Sequence, residues 1–154
     1  MGVKVIERDF GWRRIQDEVK KMKNAHVKIG VLSGAGVYEQ SKGEEVNLAD
    51  VATWNEFGTL KIPSRPFMRN AFDQNITSLR TFISKQQDSI YSGKSSTQNS
   101  LELMGIWFKD KIQDTIEKGN FAPNSEFTKA QKGSDKPLID TGRLKNSIQH
   151  EVKV

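Results

Sequence analysis

The sequence predicts an α+β fold: a small, mainly antiparallel sheet packed against two long helices, with shorter helices around them. Three observations predict it. Apolar residues recur at three- and four-residue steps over two long stretches, one after Pro66 and one after Gln98. Val27, Ile29 and Val31 alternate with Lys28 and Gly30, the pattern of a half-buried strand. A second alternating run, 150–154, ends the chain and can return to that strand.

Taken in order, Val3-Lys4-Val5-Ile6 is β-prone and reads as an edge strand. Asp9 is placed to cap a helix over 10–23, with Phe10, Trp12, Ile15, Val19 and Met22 as its apolar stripe. Arg13, Arg14, Lys20, Lys21 and Lys23 fall on its outer face. Cations late in a helix complement its dipole. Asn24 stops the helix, and the first strand spans 26–32. The polar segment 34–46 reads as a mobile loop or an extended hairpin tip.

The stretch 48–72, LADVATWNEFGTLKIPSRPFMRNAF, organises the rest of the chain. Ala49, Ala52 and the run from Trp54 to Phe57 give a short helix, which Gly58 ends at no steric cost. Pro63 and Pro66 push the residues before them out of helical angles, and Pro66 suits the first turn of a new helix. Met68, Phe72, Ile76, Leu79, Phe82 and Ile83 carry that helix to about residue 89. At this corner Trp54, Phe67 and Phe72 are expected in the core, and Arg65 and Arg69 in polar contacts. Glu56 is expected to pair with one of these arginines rather than act as a base.

Ser92-Gly93 breaks the chain, and a third helix comes next over 98–118. Leu101, Met104, Gly105, Phe108, Ile112 and Ile116 form its stripe, which Leu103 and Trp107 widen. So broad an arc predicts packing against more than one neighbour. Gly119 ends it. The segment 120–136 reads as a second mobile loop, with only Phe121, Phe127 and Ala130 to anchor it. Asp140 or Thr141 is placed to cap a short helix through Ser147, and Gly142 to allow close backbone approach. Ile148, Val152 and Val154 are expected to be buried in the closing strand.

The 154 residues suit one domain, 1–154. No stretch has the run of about 20 apolar residues that spans a bilayer, and MGVKVIERDF carries no apolar signal core. The absence of cysteine excludes disulfides and thiolate chemistry. His26 and His150 stand apart, without the clustered partners of a metal site. Gly34-Ala35-Gly36 and Gly93-Lys94-Ser95 are incomplete fragments of phosphate-binding loops. No grouping of serine, histidine and carboxylates has a recognisable catalytic order. No enzyme activity, cofactor or metal is expected. The net charge of +5 is spread along the chain, which leaves a basic nucleic-acid-binding module as an alternative function.

Two motifs carry a family resemblance. N-E-F-G-T followed by I-P-S-R-P-F-M-R resembles a segment of the neck and tail-completion proteins of long-tailed bacteriophages. K-P-L-I-D-T-G-R-L followed by N-S-I is similar to a second segment of that family, in the corresponding place. The resemblance spans roughly 27–152 and is weak over 86–98. It implies a structural virion protein that forms a ring, a hexamer in the particle, joining or closing the tail at the head–tail interface. Its partners would be copies of itself and tail-tube or head-connector proteins. Phage DNA would pass through the channel without sequence-specific binding. The protein would reside in the virion, and in the host cytoplasm during assembly. Phe121 and Phe127, in a polar surround, are the expected anchors in a neighbour's groove, with Arg65 and Arg69 as further interaction residues. Most strong apolar positions are assigned to core faces, so the purified chain is expected to be a monomer or an equilibrium mixture.

Overall fold

The computed structural model describes residues 8–32, 34–39, 45–132 and 135–154. The run at residues 3–6 and the centre of the 34–46 segment lie outside them. The order is α1 (Trp12–Met22), β1 (His26–Val31), β2 (Val37–Glu39), β3 (Glu45–Asn47), α2 (Leu48–Phe57), α3 (Phe67–Tyr91), α4 (Thr97–Lys118), α5 (Glu126–Lys132), α6 (Arg143–Asn146) and β4 (Ile148–Lys153). The fold is α+β, with two long helices against an antiparallel sheet.

The sheet is a pair. β1 and β4 run antiparallel from His26 opposite Lys153 to Val31 opposite Ile148. A separate two-stranded hairpin, β2 with β3, leads into α2. The segment 34–46 is therefore a hairpin in its described parts. Asn47 closes β3 and caps α2, its Oδ1 accepting from the Ala49 N–H at 2.9 Å.

α4 is the central element, packed on β1 and β4 on one side and on α3 on the other. Most of its broad apolar arc is used in this way, but Leu103, expected to widen it, is 49% exposed. Gly105 lets it lie close to the sheet: a Cβ there would stand 2.6 Å from the His150 Cγ of β4. The core joins Phe67 and Ala71 of α3 to Ile112 and Ile116 of α4, with Ala52, Leu138, Leu144 and Ile148 around them. Phe121 packs against this core from the chain beyond α4.

Several helix faces differ from the expected ones. In α2 the buried residues are Leu48, Ala52 and Glu56, a four-residue stripe that ends in a carboxylate. Trp54 and Phe57 consequently point outward, at 38% and 66% exposure. In α3 the buried stripe at the corner is Phe67 and Ala71, and Phe72, one position round, is 45% exposed. Its ring instead meets Phe108 edge-on, with centroids 6.3 Å apart. In α1 the one buried residue is Glu18, while Trp12 and Val19 are exposed; Phe10, expected in its stripe, lies ahead of the helix and is exposed too. Val154 lies beyond β4 and is exposed. The common cause in α1 and α2 is that a buried carboxylate, paired and hydrogen-bonded, took a place that hydrophobicity alone assigns to an apolar side chain.

Candidate interaction site

The corner between α2 and α3 is built by Glu56. Helix α3 begins at Phe67 with no cap from its own flanking residue, Pro66. The first N–H groups of a helix lack intrahelical partners. Glu56 supplies them: its Oε2 accepts from the Met68 N–H at 2.9 Å and its Oε1 from the Arg69 N–H at 3.1 Å. The Arg69 guanidinium closes the arrangement, Nε donating to Glu56 Oε1 at 3.0 Å and Nη2 to the Glu56 carbonyl at 2.7 Å. It also lies over the Phe57 ring, 5.2 Å from the centroid. The expected pairing of Glu56 is thus with Arg69. Gly58 makes the turn possible. It has φ 79°, and a Cβ would meet the Ser64 backbone N at 2.9 Å.

Arg65 holds a different part of the chain. Its backbone N–H donates to the Asn55 carbonyl at 2.6 Å. Its side chain is buried and makes four hydrogen bonds, all to uncharged oxygens. Nε donates to the Ala122 carbonyl at 2.8 Å, Nη1 to Asn55 Oδ1 at 3.2 Å, and Nη2 to the Pro123 carbonyl at 3.0 Å and Asn124 Oδ1 at 3.2 Å. Burial pushes its pKa below the usual arginine value. Asn124, also buried, passes the connection on: its Nδ2 donates to the carbonyls of Asp135 and Lys136, at 3.4 and 3.3 Å. The segment 120–136, expected to be irregular, thus contains helix α5, and its base is tied to the corner. Asn124 escapes a reading of sequence because a loop asparagine gives no sign of a partner 59 residues away, and Asn55 because nothing marks a helix asparagine as facing an arginine across the corner.

A groove of about 370 Å3 opens beside Arg65. Leu48, Val51 and Trp54 of α2, Ile62 and Pro63 of the corner, and Leu138 and Leu144 give it apolar walls. Lys61, Arg65, Asp140 and Arg143 are its charged lining. Two stretches far apart in sequence, 54–65 and 138–144, therefore face each other. The second is held in an uncommon conformation, with buried Leu138 at φ 62°, left-handed for a non-glycine residue. Neither Asp140 nor Thr141 occupies the cap position of α6. Gly142 does, at φ 78°, and it serves by its positive φ rather than by close approach, since a Cβ there would meet only Asn146 Nδ2, at 3.6 Å.

Of the four expected interaction residues, Arg65 is buried at the groove and Arg69 is half-exposed at the corner. Phe121 is part of the core packing and not a free anchor. Phe127, on α5, is 73% exposed. The premise that apolar side chains are used up in the core needs correction. Among the described residues 13 large hydrophobic side chains are exposed, Phe57, Leu60 and Ile106 among them. His150, which the sequence sets apart from any cluster of metal ligands, bonds Glu102 Oε2 through Nε2 at 2.8 Å. No described helix is long and apolar enough to cross a membrane. No known protein family, curated protein or solved structure matches the chain.

Proposed function

We propose that this chain is a structural assembly protein of a tailed phage, a neck or tail-completion component that forms a ring at the head–tail interface. The observation that carries the reading is the meeting of its two motifs. Segments that resemble the same family line one groove, although about 70 residues separate them in the chain. The corner's half-buried ion pair, and the buried arginine that ties it to residues 122–124, give a rigid frame, and the exposed apolar side chains give surface for neighbours. The chain acts by surface complementarity, without bond chemistry. Its partners are further copies of itself, sixfold in the particle, and tail-tube or head-connector proteins. DNA passes without being read.

The test is to remove the protein from an infecting phage and image the particles, with a labelled copy restored in parallel. Filled heads and separate tails, with the label at the junction of restored particles, are expected. Normal particles without the protein, or label on the capsid shell, would overturn the reading.

A second reading, a nucleic-acid-binding module, is favoured by one observation. Arg13, Arg14, Lys20, Lys21 and Lys23 are all exposed on or just beyond α1. Titration of DNA at two salt concentrations separates the two readings, since only this one requires tight binding with a steep salt slope.

A further inference from the structure

We propose that the turn between α2 and α3 is a knob, and that its Leu60 side chain enters a hole between α1, α3 and α4 of a second copy of this chain. The proposal rests on the ring-forming reading above. Leu60 stands wholly clear of the body, at 108% of its reference exposure. The other exposed aliphatic side chains among the described residues, Val19, Val37, Leu103, Ile106 and Val154, lie between 42% and 52%, half covered by their own chain. The turn behind Leu60 is held in place. The Thr59 N–H donates to the Ile62 carbonyl at 2.8 Å, and Thr59 Oγ1 accepts from the N–H groups of Lys61 and Ile62, at 3.2 and 3.0 Å. A contact made from a backbone already fixed costs less entropy to form.

The hole measures about 100 Å3. Met22 of α1, Ile83 and Ile90 of α3, and Leu101 and Met104 of α4 give it apolar walls. An apolar cavity of about 150 Å3 admits a benzene ring, so this smaller one suits an aliphatic side chain. Its hydroxyl groups ask nothing of an occupant: Thr97 Oγ1 donates to the Glu18 carbonyl and Ser100 Oγ to Ser95 Oγ, each at 3.0 Å. Gln86 and Gln87, also in its lining, carry side-chain amides that have no bonded partner among the described residues. The backbone N–H and carbonyl of Leu60 are unbonded in the same sense. An amide both donates and accepts, so the knob's polar base and its apolar tip each have a counterpart in the hole. The knob stands at the start of α3 and the hole near its end, roughly 30 Å away at 1.5 Å per residue. A chain therefore cannot fill its own hole. A projection that fits a hole elsewhere on the same molecule makes a head-to-tail contact, which repeats from copy to copy and closes when the rotation allows.

The chain has no cysteine, so an introduced thiol marks one place only. Lys61→Cys puts a thiol beside Leu60, and Tyr91→Cys puts one on α3 a turn beyond Gln87, at the edge of the hole. The two variants are mixed in equal amounts and treated with a short thiol-to-thiol cross-linker. Mixed dimers are expected to exceed the statistical yield, with an effective preference of about tenfold, equivalent to ~1.4 kcal/mol. Adding Leu60→Ala to the Lys61→Cys chain should abolish the excess. That substitution leaves the subunit's own fold intact, because the Leu60 side chain is fully exposed. A statistical mixture, or an excess that survives Leu60→Ala, would overturn the proposal. The ring is judged separately by particle imaging. Label at the junction with statistical cross-linking leaves the ring and removes this contact; specific cross-linking with label elsewhere does the reverse.

Discussion

Glu18 and Glu56 lie in different helices and each caps the start of another. Glu56 holds the first turn of α3, and Glu18 Oε2 accepts from the N–H of Thr97, the first residue of α4, at 2.6 Å. The Lys21 ammonium, 2.9 Å from Glu18 Oε1, and then the Thr97 N–H hold the Glu18 carboxyl down at about 2, from its ordinary 4.5. A carboxyl whose pKa is lower in the folded state contributes stability above its unfolded value. That contribution should be fully present above 4.5 and disappear as pH falls toward 2. Urea midpoints followed across this window should fall steeply for the natural chain and less steeply for Glu18→Gln. Unchanged slopes would show that Glu18 gains nothing on folding. The two phenylalanines of the corner make a second comparison. Phe67 is fully buried, so Phe67→Ala should cost about 3–5 kcal/mol by denaturant unfolding. Phe72 is nearly half exposed, so Phe72→Ala should cost about 1–2 kcal/mol. Equal losses would put the Phe72 ring in the core after all.

At the scale of elements, α4 meets β4 through a missing side chain. Alanine at position 105 would gain about 1 kcal/mol of helix propensity over glycine. The added Cβ would press on the His150 ring, and overpacking of this kind costs about 1–3 kcal/mol. Gly105→Ala should therefore destabilise by about 1–2 kcal/mol, because the collision outweighs the propensity. Adding His150→Ala should recover much of that loss in a double-mutant cycle, and a purely additive result would contradict the close approach. The long helices and the β1–β4 pair were legible because each keeps one period for several turns or pleats. The inward face of α2 was not, since Glu56 stands where a reading by hydrophobicity expects an apolar side chain. Helix α5 was not legible either: Glu126, Thr128, Lys129 and Gln131 give seven residues no apolar face. The two stretches that line the groove were each visible as motifs. Their meeting was not, because neither carries a mark of the other.

For the whole molecule, the net charge of +5 has a consequence that can be measured without knowing any partner. The isolated protein should bind duplex DNA no tighter than about micromolar at physiological salt, with affinity falling as salt rises and no preference among sequences. Filter binding or anisotropy on unrelated duplexes checks this. Nanomolar discrimination would favour the nucleic-acid reading. The tie at the base of α5 bears on how such a chain can change over generations. Arg65 fixes residues 122–124, and Asn124 in turn holds the carbonyls of residues 135 and 136, so the excursion between them leaves and rejoins the body at one place. Its ends are already closed, and each doubling of a loop's length then adds only about 0.6 kcal/mol of entropy. Insertions there alter how far the tip reaches while the body stays unchanged. Arg65 makes the excursion a replaceable attachment, whose length selection can adjust to the size of whatever it must touch.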